Sequence, residues 1–240
     1  MTKPDRPLFA VLIDADNIPA KHAAAILKEI TSFGEPALRR VYGDWSSASL
    51  QNWTQQARAL GLVAHQETAN TAGKNASDIG LVIDAMDILH TGRFDGFVIV
   101  SSDSDFTALA NRIREQGLTV IGIGESKAPL SLRNVCNRFV LIENIVAPTP
   151  QSTTNSTEQQ SKRSLKEVVP MLEAAMDKID PDSEWYALGA LGQKIAAAHS
   201  DFDTRTYGHA KLSTLVQSLK GFKTRRTSGN GNQLEVARTP

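Results

Sequence analysis

Short apolar runs and longer amphipathic stretches alternate along the first half of the chain. LFAVLID precedes a helical pattern over Pro19–Phe33, LRRVY precedes Ala48–Leu60, and GLVAH precedes Asn75–His90. FVIVSS then leads into Phe106–Gln116, LTVIGIG into Pro129–Asn137, and RFVLIEN closes the series. Short apolar runs predict strands, and apolar positions three and four apart predict helices. Strands and helices taken in turn predict a parallel sheet wrapped by helices. In such sheets a ligand crevice lies beyond the carboxyl ends of the strands, so the residues that end each run become the first candidates for chemistry.

A different pattern follows. APTPQSTTNSTEQQSK, residues 147–162, has prolines and many Ser, Thr and Gln residues but no apolar periodicity, and reads as a flexible linker. Beyond it, Leu165–Lys178, Leu188–His199 and Lys211–Lys220 show helical spacing, and FKTRR and QLEVAR flank the glycine turn SGNGN. Three helices with a two-stranded wing predict a winged helix-turn-helix. The expected organisation is an α/β domain over residues 1–147, a linker over 148–162 and a small winged domain over 163–240.

Composition changes this picture in two places. The 240 residues carry 26 Lys+Arg and 26 Asp+Glu, a formal net charge of zero, which argues against a uniformly basic nucleic-acid binder. Counted by segment, the zero is a sum of unlike parts: a surplus of two acids before the linker and of two bases after it. The one cysteine, Cys136, cannot form an intramolecular disulfide, and no Cys/His cluster suits zinc. No stretch approaches membrane-spanning length, and the apolar run near the start is too short for a signal segment. A cytoplasmic setting is therefore expected.

Three of the strand-to-helix junctions are acidic. The first strand exits into Asp14-Ala15-Asp16-Asn17, the fourth into Ser101-Ser102-Asp103-Ser104-Asp105, and the third helix opens with Lys74-Asn75-Ala76-Ser77-Asp78. Each acid alone has an ordinary explanation, since Asp, Asn and Ser cap helix N-termini and acids favour the positive end of a helix dipole. A cap needs only one oxygen. Four carboxylates, Asp14, Asp78, Asp103 and Asp105, in one crevice would repel one another unless a cation were present, and oxygen ligands suit Mg²⁺ or Mn²⁺. Around them, Asp16 joins the metal ligands, faces solvent or caps the first helix. Lys74 contacts phosphate or is a solvated loop lysine, and Ser101 orients a carboxylate or water, or ends its strand. Asp84 lies about 240° round the helix from Asp78 and cannot point at the same ion, so it is expected to support the structure or the ligands.

At these residues a family resemblance becomes visible. VLIDADNI, KNASDIGLVIDAMDIL and VIVSSDSDFTAL resemble, in order and spacing, the three signature blocks of the NYN (LabA-like) family of PIN-like nucleases, across roughly residues 8–145. The resemblance implies a Rossmann-like, three-layer α/β fold and a metal-dependent ribonuclease. It places the family's acids at Asp14, Asp78, Asp103 and Asp105, with Asn17 in support and Asp84 matching a recurrent acid of the second block. Asn75 and Ser102 depart from the pattern, where glycine is common.

SDFDTRTYGHAKLSTLVQSLKGFKTRR is similar to the core of the OST-HTH, or LOTUS, domain. That resemblance implies binding of RNA, guanine-rich RNA included, or docking of a protein partner. The residues themselves offer Lys211, Lys220, Lys223, Arg225 and Arg226 without an intervening acid, a pattern that suits phosphate contact. It equally suits a solvated helix face and a charged edge strand. Tyr207 stacks on a base or fills the small core, and Trp185 and Tyr186 carry the same two readings. The five histidines show no metal-ligand spacing.

The leading expectation is a metal-dependent ribonuclease joined to an RNA-binding module, acting on single-stranded or guanine-rich RNA. A non-catalytic RNA-binding adaptor on a degenerate nuclease fold is the alternative. Asp14-Ala15-Asp16 also resembles the acid pair of haloacid-dehalogenase phosphohydrolases, but the threonine usual after the second acid is absent and no later lysine motif follows.

Overall fold

The computed structural model describes residues 6–66, 76–146, 164–227 and 233–239. It divides into two compact units, residues 1–148 and 149–240.

In the first unit, β1 (Leu8–Asp14), β2 (Glu35–Gly43), β3 (Val63–Gln66), β4 (Gly96–Val100), β5 (Thr119–Gly124) and β6 (Arg138–Leu141) form one sheet in the order β3-β2-β1-β4-β5-β6. Every pairing is parallel. The chain builds outward from β1 to β3, then returns to lay β4 on the other side of β1. The strand order thus reverses between β1 and β4, and the crevice of a doubly wound sheet opens at their carboxyl ends. Ile13 pairs with Val100, so the residues just beyond both strands are brought side by side.

The central strands are apolar on both faces because both are covered. Phe9, Val11 and Ile13 pack with α1 (Ala23–Ile30) and α2 (Gln51–Leu60). Ala10 and Leu12 pack with α3 (Ala76–His90), α4 (Thr107–Glu115) and α5 (Leu130–Val135). By the two-residue alternation of a strand, Asp14 continues the face of Ala10 and Leu12, which α3 covers. Helix positions follow the same logic: α1 buries Ala23, Ile26, Leu27 and Ile30, one stripe at spacings of three and four. Each fully buried Ile or Val adds about 1.5–3 kcal/mol. Glycine is required where strands close on the site, since a Cβ on Gly124 at the end of β5 would lie 2.5 Å from the carbonyl oxygen of Ser101.

Most expected elements are present, with differences at their ends. FVIVSS stops being strand at Val100, so Ser101 and Ser102 lie in the loop beyond it. RFVLIEN is a strand only to Leu141, where a single helical turn, α6 (Ile142–Ile145), takes over. The start of the third helical pattern, Asn75, lies outside the described residues, as does the segment read as a linker.

The second unit contains α7 (Val168–Ile179), β7 (Tyr186–Ala187), α8 (Leu188–Ala198), α9 (Leu212–Ser218), β8 (Phe222–Arg226) and β9 (Leu234–Arg238). Its three helices bury Val168, Leu172, Met176, Leu191, Ile195, Leu215 and Val216 in one core. The sheet has three strands rather than two, in the order β7-β9-β8, all antiparallel. The additional strand, β7, is too short to carry a periodic signal, and its pairing with β9 joins residues far apart in sequence.

Candidate metal centre and its surroundings

The site is assembled from two loops and one helix. At the exit of β1, Asp14 is buried, 3% exposed. Its Oδ1 accepts the backbone N–H groups of Asp16 and Asn17, both at 3.1 Å, which folds the loop back on its own strand. Its Oδ2 accepts the Ser101 hydroxyl at 2.8 Å. Ser101 Oγ in turn accepts the Asp103 N–H at 3.1 Å, and Asn17 Oδ1 accepts the Ser102 N–H at 3.0 Å. Asp14, Asn17 and Ser101 therefore fasten the β1 and β4 loops together across the reversal point.

Beyond β4, Asp103 begins the 3-10 turn Ser104–Phe106, and its Oδ1 accepts the Asp105 N–H at 2.9 Å. The capping explanation thus holds for Asp103, but it accounts for one oxygen only. Carboxylate oxygens of Asp78, Asp103 and Asp105 lie within 4.8 Å of one another, the arrangement of a cation site. Asp78 comes from the first turn of α3, near the positive end of that helix. Asp16 joins the same side, its Oδ2 accepting the Ser77 hydroxyl at 2.8 Å.

The electrostatics record the crowding. Burial first, and then the charges of Asp103, Asp105 and Asp16, raise the pKa of Asp78. Burial chiefly, with the charge of Asp78 added, pushes Asp14 up to about 6 although the Ser101 bond pulls the other way. Ionising these carboxylates costs free energy in this setting, and a divalent cation would offset that cost. An all-oxygen, carboxylate-rich donor set fits a hard cation such as Mg²⁺ or Mn²⁺.

The remaining candidates fall in several places. Asp14 lies beside the trio, coupled to Asp78 by charge, with both of its oxygens accepting hydrogen bonds from the protein. Asp84 is not part of the cluster: it pairs with the Arg40 guanidinium and accepts the Tyr42 hydroxyl. Burial alone would raise the Asp84 pKa, but these two bonds outweigh it and leave it lowered. Lys74 lies outside the described residues. Cys136 is buried, with burial pushing its thiol up to about 12, so it is chemically quiet.

In the second unit, Tyr207 is buried and its ring lies 6.0 Å from that of Phe202, which corrects its assignment as an RNA contact. Tyr186 is likewise core, its hydroxyl donating to the Asp180 carbonyl at 2.6 Å. Lys211, Lys220, Lys223, Arg225 and Arg226 are exposed. The acid-free run is nevertheless not acid-free in space, because Glu184 reaches Lys223 at 3.3 Å and Glu235 reaches Arg225 at 2.8 Å. Trp185 lies beneath two of these cations, its ring centre 3.9 Å from Arg225 Cζ and 5.1 Å from Lys223 Nζ. Both cations thus stack on the indole as cation–π pairs.

One feature of the first unit had no signal in the acids. A cleft of about 540 Å³ opens between the β1 loop and α2, with Asn17, Lys21, Asn52, Gln55 and Gln56 in its lining. The sequence trace it leaves is the composition of α2, where Arg58 is the one charged residue and the polar face is made of amides.

The crystal structure of a protein of unknown function from Vibrio parahaemolyticus is 20% identical, with a TM-score of 0.51, and covers 59% of this chain and 96% of its own, a likeness of fold. A solution structure of an uncharacterized Nitrosomonas europaea protein is 28% identical over 39% of this chain and 90% of its own, at a TM-score of 0.27. No curated protein matches the chain. Among the described residues no helix is long and apolar enough to cross a membrane. Family models match an NYN domain over residues 9–143 and an OST-HTH/LOTUS domain over residues 159–234. The chain therefore belongs to the NYN family of nuclease domains, and it carries an OST-HTH/LOTUS domain, an RNA-binding module, behind it.

Proposed function

We propose that this chain is a cytoplasmic, metal-dependent ribonuclease that hydrolyses RNA phosphodiester bonds at Asp78, Asp103 and Asp105, with the winged domain, here assigned to residues 163–240, holding the RNA. The observation that carries this reading is the convergence of those three carboxylates at the β1/β4 reversal point of a nuclease-family domain.

Asp78, Asp103 and Asp105 would hold Mg²⁺ or Mn²⁺, and the bound cation would supply Lewis acidity that activates water and offsets phosphate charge. Asp103 is set in place from both ends, by the Ser101 hydroxyl at its N–H and by the Asp105 N–H at its Oδ1. Asp14 acts as a positioning residue: it holds Ser101 with one oxygen and shapes its own loop with the other. Asn17 fixes the spacing between the two loops through Ser102. Such supporting groups change metal affinity or activity by about 10–100-fold in metal sites generally. The winged unit, joined in the same chain, raises the local concentration of RNA around the centre.

The test is cleavage of labelled single-stranded RNA across a series of divalent cations, with Asp78→Asn and Asp103→Asn compared with the parent chain. Metal-dependent cleavage lost in both folded variants supports the site. Undiminished cleavage in both sinks it, and RNA binding that survives chelation without turnover in any metal establishes the adaptor reading instead.

A further inference from the structure

The β1 loop has two sides. One faces the acids, and the other forms a wall of the cleft against α2. Asp16 and Asn17 belong to both: Asp16 accepts the Ser77 hydroxyl of α3, Asn17 accepts the Ser102 N–H of the β4 loop, and both line the cleft. A group seated in the cleft is therefore separated from the carboxylate cluster by the thickness of one loop.

The cleft's chemistry is specific. Ile18, Leu50 and Trp53 lie beneath the cleft as core, at 1%, 4% and 2% exposure, so its accessible surface is that of the β1 loop and the polar side of α2. The Trp53 indole N–H donates to the Ile18 carbonyl at 2.7 Å, which pins the loop to the helix and keeps the cleft formed. Asn52, Gln55 and Gln56 stand three and four residues apart on α2, so they share one face of the helix and converge on the cleft. Their side-chain amides make no hydrogen bond among the described residues. An amide presents a planar donor beside a planar acceptor, the combination that reads the edge of a base bidentately. Phosphate, by contrast, is held by Lys, Arg and backbone N–H groups, and of these side chains Lys21 alone lines the cleft. A rim of amides with a single cation fits an uncharged planar heterocycle, and the volume falls in the range of small-molecule sites.

We propose that this cleft is a base-recognition subsite: an unstacked base of single-stranded RNA, next to the scissile phosphate, enters between the β1 loop and α2 and is read by Asn52, Gln55 and Gln56, with Lys21 meeting a flanking phosphate. The proposal rests on the ribonuclease reading for its substrate, and it adds sequence selectivity to the catalytic unit itself.

A short random-sequence single-stranded RNA carrying photoreactive thiouridine or azidoadenosine tests it on the full chain. Crosslinked peptides are mapped by mass spectrometry, and cut-site preference is read by sequencing the products. The expected result is crosslinking within α2 and the β1 loop that the Asn52→Ala/Gln55→Ala/Gln56→Ala variant loses. That variant is also expected to raise KM on the preferred sequence and flatten base preference at the cut by about tenfold. These positions are exposed or half-buried, and circular dichroism confirms the fold. Asp103-dependent cleavage with no crosslink in α2 and an unaltered preference overturns the base subsite while leaving the nuclease standing. Crosslinks in α2 without turnover in any metal uphold the subsite and overturn the nuclease.

Discussion

In the first unit the charges that matter are carboxylates drawn inward. Asp14 has lost almost all its contact with water, Asp78 is half-buried, and both are raised in pKa by burial and by their neighbours. In the second unit the cations stand outside, and their partners Glu184 and Glu235 are found only across the fold. Burying carboxylates near one another is costly, and it fixes their geometry before any ligand arrives. Surface cations cost little and are screened by salt, which suits reversible contact with many phosphates. Under the proposed function, the contrast separates a place for chemistry from a surface for retention.

The substitutions that break this contrast most strongly are in the trio. Asp103→Asn or Asp78→Asn should reduce single-turnover RNA cleavage in Mn²⁺ by more than about a hundredfold, beyond the effect of a supporting group. RNA binding by the winged unit should persist, and a parallel loss of binding would show that the two units do not divide the work in this way.

Asp14→Asn sharpens the comparison, because activity and stability should move in opposite directions. Cleavage should fall by about 10–100-fold, because the charge beside Asp78 is lost and the hydrogen bond to Ser101 reverses its direction. With metal chelated, the folded pKa of Asp14, about 6, lies above its ordinary value of 3.8, so the native state binds the extra proton between these values. Parent stability from this group is therefore highest in acid and falls as pH rises from about 4 to about 6. The variant, whose amide can still accept the two loop N–H groups and donate to Ser101, escapes that loss. It should be more stable at pH 7 by up to about 3 kcal/mol in thermal or urea unfolding.

Asp84 should behave in the opposite sense. Asp84→Ala strands Arg40 and Tyr42 and should cost about 1–3 kcal/mol, with far less effect on cleavage than Asp103→Asn. Since the Asp84 pKa is lowered, its contribution is present above the ordinary carboxylate range and fades as pH drops through the folded value. Cleavage lost as completely as in Asp103→Asn would move Asp84 into the chemistry.

The smallest effects belong to the wing. Trp185→Ala should weaken RNA retention by about tenfold if a base stacks there. Lys220→Ala or Arg226→Ala should weaken it nearly uniformly across sequences and lower the slope of log affinity against log salt by about 1. Both are read by fluorescence anisotropy in a salt series, and an unchanged slope would identify these cations as solvent-facing only.

Local pattern carried the order of strands and helices, because a strand covered on both faces must be apolar throughout and a helix on a sheet must bury one stripe. It also carried the acids, since three acidic junctions lie at the strand and helix ends where an α/β crevice forms. What local pattern could not carry was which oxygens meet. Asp14 and Asp103 look alike in sequence, each following an apolar strand. Asp14 is buried and accepts hydrogen bonds at both oxygens, while Asp103 caps its turn with one oxygen and lies in the cluster with Asp78 and Asp105. Asp84 and Asp78 lie on one helix, and only the lateral position of β2 decided that Asp84 would meet Arg40 and Tyr42. Tyr207 had two sequence readings, and packing against Phe202 chose between them.

The sequence by itself determined two unlike units, a parallel α/β sheet with acids at its strand ends and a small helical unit with a basic wing, because periodicity and charge are local properties. Tertiary structure decided the carboxylate trio, the acids that temper the wing, the strand β7 and the amide-lined cleft, because each depends on distances between segments that no spacing along the chain encodes.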